Sequence, residues 1–159
     1  MPRAHGLAGR ALGLAVATAV LCVPMATRAQ RGPVRVALGE LGASEGGPRT
    51  ARALEAAIER ALRDREDVRL VGAGRAQLVL RGSVVRLERR RVGRALEVRC
   101  EVSVIVADAR GGSIRAMLRG RAGARGSDPT RLRANALRAA VRGALRPLAA
   151  HGRALARAR

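Results

Sequence analysis

The side chains able to do covalent or acid–base chemistry are few. Histidine occurs twice, as His5 and His151, and cysteine twice, as Cys22 and Cys100. Ser83, Ser103 and Ser113 have no base at a recognisable spacing, and no G-x-S-x-G elbow is present. The stretch VGAGRA at 71–76 is glycine-rich but lacks both the G-x-G-x-x-G spacing and the following helix that would cradle a phosphate. A metal would need His, Cys or carboxylates in a cluster, and the chain has none. Glu66 and Asp67 sit together at the end of a helical pattern and read as surface charge. The sequence therefore assigns no catalytic, cofactor-binding or metal-ligating residue, and a non-enzyme without a cofactor is the expectation.

What the chain has in abundance is guanidinium. Its 159 residues carry a formal charge of +20, and every one of the 32 basic residues is Arg. The chemistry on offer is charge-assisted, often bidentate hydrogen bonding to carboxylates and phosphates. A nucleic-acid binder is one reading of such a charge. Two facts weigh against it. Phe, Tyr and Trp are absent, so there is no platform on which bases could stack. The complete absence of Lys, together with abundant Ala, Gly and Val, fits the codon usage of a GC-rich genome, which would raise the Arg baseline without selection for charge. The charge is nevertheless uneven. Residues 110–159 hold 13 Arg against one acid, Asp128, whereas residues 30–109 hold 16 Arg against 11 acids.

The elements that must position these side chains begin after residue 29. Residues 1–29 have the make-up of a secretory signal. Arg3 and Arg10 give a positive start, 11–23 is an uncharged apolar run, Pro24 breaks it, and Thr27-Arg28-Ala29 offers small residues before a cut at Gln30. The run is short for a membrane span, although retention as an anchor is an alternative. Lipidation at Cys22 is another, with Leu21 larger than the small residue expected before a lipidated Cys. Cleavage would leave a chain with no membrane span and one cysteine, Cys100, and hence no internal disulfide.

From residue 30 the pattern predicts a single domain over 30–148 and a basic, frayed tail over 149–159. Residues 34–38 alternate and read as a strand. A loop over 42–48 leads to a helix capped by Thr50, with Ala51, Leu54, Ile58, Ala61 and Leu62 at helical spacing. A short strand follows at 68–71, then three long ones at 76–87, 96–107 and 113–122 forming a meander. The middle one is the clearest. Leu96, Val98, Cys100, Val102, Val104 and Val106 share one face, with Glu97, Arg99, Glu101, Ser103 and Ile105 on the other. Cys100 then reads as a small core residue. Asp128 caps a last helix with Pro129 at its first position, and Pro147 is expected to end or kink it. The fold class is α+β, a mostly antiparallel sheet in the order β-α-β-β-β-β-α with two helices packed on one face.

On that frame the arginines sort into two groups. Arg131, Arg138, Arg142 and Arg146 form a stripe on the last helix, opposite its apolar face. Arg89, Arg90 and Arg91 lie in RLERRRVGR between two strands, which reads as a hairpin tip with Gly93 as turn former. These seven are the candidate contacts for an anionic partner.

The pieces VRVALGEL, RAQLVLRGSVVRL and VSVIVADARGGSI, with Gly82, Val84, Asp108, Ala109, Arg110 and Gly111 in place, make a pattern. It resembles the bacterial envelope domains related to the TolB amino-terminal domain, CsgG and LpoB, over about residues 34–148. The hairpins that form the CsgG pore have no counterpart, so channel activity is not implied. The resemblance implies an exported, non-catalytic accessory or interaction domain, periplasmic or outer-membrane-associated. Its partner would be an envelope protein or an anionic surface, lipid or cell-wall polymer. The alternative is a basic nucleic-acid-binding protein whose first 29 residues are not a signal.

Overall fold

A computed structural model of the chain describes residues 32–157. The signal-like segment and Cys22 lie outside the described residues. The elements run β1 (Val34–Ala43), α1 (Gly47–Arg63), β2 (Val68–Leu70), a 3-10 turn at Ala73–Arg75, β3 (Leu78–Val92), β4 (Ala95–Asp108), β5 (Ile114–Gly126) and α2 (Pro129–Arg157). The five strands make one sheet in the order β2-β1-β3-β4-β5. The class is α+β with the expected element order. The sheet is mixed, because α1 carries the chain over so that β1 lies parallel to both β2 and β3, while β3, β4 and β5 form the antiparallel meander.

Period two decides which face is covered. Val98, Val102, Val104 and Val106 of β4 are fully buried, Cys100 nearly so, and Leu78, Leu80 and Val84 of β3 join them. Both helices pack on this side. α1 supplies Leu54, Ile58 and Leu62, and α2 supplies Ala136, Ala140, Val141, Ala144, Leu145 and Leu148. With no aromatic ring available, the core closes by short distances. Gly120 shows how: a Cβ there would stand 2.6 Å from the amide nitrogen of Ala144 and closer still to the carbonyl oxygen of Ala140. α2 can lie down on β5 only because that position has no side chain.

Several boundaries differ from expectation, each for a visible reason. α1 begins at Gly47, with Gly46 as its cap at φ 86°, and Thr50 sits in the first turn, where its hydroxyl donates to the Gly46 carbonyl. Ile114, at the start of β5, is 62% exposed, next to a shift in the register with β4 between Val106 and Ala107. The main corrections concern the hairpin and the tail. RLERRRVGR is strand almost throughout: pairing runs without a break from Arg86–Glu101 to Val92–Ala95, and only Gly93, at φ 62°, and Arg94 turn. α2 continues through Pro147 to Arg157, so residues 149–157 are helical and not a frayed tail. The fully buried Leu148 and the buried Gly152 hold that last stretch down.

Candidate cationic contact surfaces

Because both helices lie on one side, the other face of the sheet is uncovered, and register determines what it shows. Arg86, Glu101 and Arg121 stand in one cross-strand row, and Arg90, Glu97 and Arg125 in another. Glu97 is the hub. It accepts from Arg90 at 2.9 and 3.0 Å and from Arg99 at 2.8 Å, with Arg125 at 3.7 Å. Glu101 takes Arg121 side-on, both contacts at 3.0 Å. The arginine hydrogen bonds hold both carboxyls below their ordinary range. Their stems lie under the arginines, leaving a shallow groove of about 520 Å³ lined by Arg86, Arg99, Arg121 and the three carboxylates Glu88, Glu97 and Glu101. Toward the other end the same face is mixed, with half-buried Val79 and Ile105 and an exposed Met117 beside the exposed Arg81 and Arg119.

At the β4–β5 turn, Asp108 accepts the backbone N–H groups of Arg110 and Gly111 and the Arg115 guanidinium. Those three donors pull its carboxyl down to about 2. Cys100 faces the core, and burial pushes its thiol up to about 11, so it is no nucleophile. Among the described residues no three His, Cys, Asp or Glu side chains group to hold a metal.

The seven sequence-predicted residues do not converge. Arg131, Arg138, Arg142 and Arg146 are all exposed and recur at seven- and four-residue steps along α2, which turns them away from the sheet. Asp128, which caps α2 through the N–H groups of Thr130 and Arg131, is 3.4 Å from the Arg131 guanidinium. Arg138 donates to Asn135. Among the described residues Arg142 and Arg146 meet no carboxylate. Arg90 belongs to the Glu97 row on the opposite side of the molecule. Arg89 and Arg91 alternate with it and extend the helix side of the hairpin, both exposed. Sequence placed Glu97 and Glu101 on the outer face of β4; which arginines they bind depends on register.

No family model matches the sequence, and no curated protein matches it. Solved structures do match. The PelC dodecamer from Paraburkholderia phytofirmans superposes with a TM-score of 0.55 at 17% identity, covering 74% of this chain and 87% of that one. A minor lipoprotein from Acinetobacter baumannii gives 0.54 at 18%, over 76% and 96%. Uncharacterized lipoprotein B from Nitrosomonas europaea gives 0.51 at 19%, over 76% and 85%. The fold is one that bacterial lipoproteins use. At these identities the likeness is one of fold, and these three carry names other than TolB, CsgG and LpoB.

Proposed function

We propose that this chain is an exported, non-catalytic accessory domain of the bacterial envelope that works by contact, with the α2 stripe as its grip on an anionic surface. The observation that carries the reading is the division of charge. Along β3, β4 and β5 toward the hairpin end of the open sheet face, Glu97 and Glu101 are interleaved with the arginines and hold Arg90, Arg99 and Arg121 in ion pairs. On α2, Arg138, Arg142 and Arg146 project with no carboxylate near them among the described residues. Guanidinium groups held by neighbouring carboxylates are poor recruiters of a further anion, while an unneutralised row on a rigid helix supplies an attractive field. The fold shared with bacterial lipoproteins and the signal-like residues 1–29 support an envelope location.

Cell fractionation followed by N-terminal sequencing tests the location. A mature N-terminus at Gln30 in the envelope fraction is expected, and one at a lipid-modified Cys22 would keep the export reading while adding an anchor. A full-length cytosolic chain that binds DNA with a steep salt dependence would overturn it.

A further inference from the structure

One cluster of arginines departs from the interleaved pattern of the sheet. Arg35 of β1 and Arg69 of β2 are direct partners in the parallel register, on the face away from the helices. The 3-10 turn that follows β2 brings Arg75 to the same place, and the three line a concavity of about 320 Å³ with Leu70 and Val71. No carboxylate lines it, and among the described residues none of the three guanidiniums pairs with an acid. Asp67, the nearest acid in sequence, is engaged by Arg65 at 2.6 and 3.0 Å.

Like charges placed directly opposite on neighbouring strands oppose pairing. Elsewhere in the sheet each arginine in the register faces a glutamate, as Arg86 faces Glu101 and Arg90 faces Glu97, or a neutral residue, as Arg81 faces Ile105 and Arg119 faces Ser103. Here the cost is left standing, in a hollow, on three side chains whose planar donors match a tetrahedral oxyanion. The backbone around them is fixed. The Val71 N–H is held by the Val36 carbonyl, and the Arg35 N–H by the Gln77 side chain, so the stems of the cluster start from ordered positions.

We propose that Arg35, Arg69 and Arg75 form a discrete binding site for a phosphate group, separate from the α2 stripe. Export and surface binding could both fail without touching it. The ligand is defined by its chemistry, a phosphate oxyanion, free or carried as the diester of a lipid headgroup.

The test is isothermal titration of the full chain, at constant ionic strength, with two probes: inorganic phosphate and glycerophosphoglycerol, the water-soluble headgroup of an anionic lipid. Saturable binding of at least one is expected, and the tighter of the two identifies the source. Arg69→Gln and Arg75→Gln should each weaken it about tenfold, the loss expected for one charged hydrogen-bonding partner. Arg52→Gln, an equal loss of charge on the exposed side of α1, should leave it within about twofold. A melting experiment guards against misfolding. Without ligand, Arg69→Gln should melt no lower than the native chain, since it relieves a repulsion. Phosphate should raise the native melting temperature by more than that of the variant at the same concentration. No saturable binding of either probe, or equal weakening by Arg52→Gln, would overturn the proposal.

Discussion

Glycine 120 and aspartate 108 show how single positions hold this molecule together. At Gly120 the backbones of β5 and α2 approach too closely for a Cβ, and any side chain there must push the helix off the sheet. Gly120→Val should destabilise by about 1–3 kcal/mol, the usual cost of overpacking, read as a lower urea midpoint with an unchanged slope. Asp108 makes a pH prediction. Its carboxyl sits at about 2 in the folded protein against an ordinary 3.8. A depressed carboxyl contributes stability that is present above its unfolded value and is lost as pH falls through its folded value. Asp108→Asn should therefore be less stable than the native chain at pH 7. The gap should close between about pH 4 and pH 2, and a gap constant across that window would show that Asp108 acts through shape and not charge.

At the scale of elements, the legible parts were those with one dry face. β4 announces itself because Val98, Cys100, Val102 and Val104 alternate with charged or hydroxyl side chains, and the helices cover just that face. The last third of β3 does not. Beyond Leu87 neither face is covered, three of the five residues are Arg, and no hydrophobic period survives; the strand exists because β4 supplies its ladder. The far end of α2 was hidden for the opposite reason. Pro147 removes a backbone donor and is a fair stop signal, but Leu148 one residue later is fully buried and holds the helix on. Leu148→Ala should cost about 2–5 kcal/mol in chemical unfolding, and a loss near zero would mean the last turns of α2 contribute nothing. The α2 stripe could be read from spacing alone. The Glu97 hub and the Arg35–Arg69 pair could not, because strand register sets them, and in the second case it joins residues far apart in the chain.

For the whole molecule, net charge is a weaker guide than where the charge is cancelled. Much of the sheet's excess is absorbed by Glu97, Glu101 and Asp108, which leaves α2 and the Arg35–Arg69–Arg75 cluster as unneutralised cationic surfaces, α2 the longer of the two. Co-sedimentation with lipid vesicles tests that claim most directly. The mature protein should bind vesicles containing phosphatidylglycerol and not vesicles of phosphatidylcholine alone, with affinity falling as salt rises. Replacing Arg138, Arg142 and Arg146 together by Gln should weaken binding about a hundredfold, at about 1 kcal/mol per arginine near the surface. The charge-matched replacement of Arg90, Arg99 and Arg121, which Glu97 and Glu101 hold in ion pairs on the open sheet face, should change it only slightly. Equal weakening by both triple variants, or no preference for the anionic vesicles, would contradict the account.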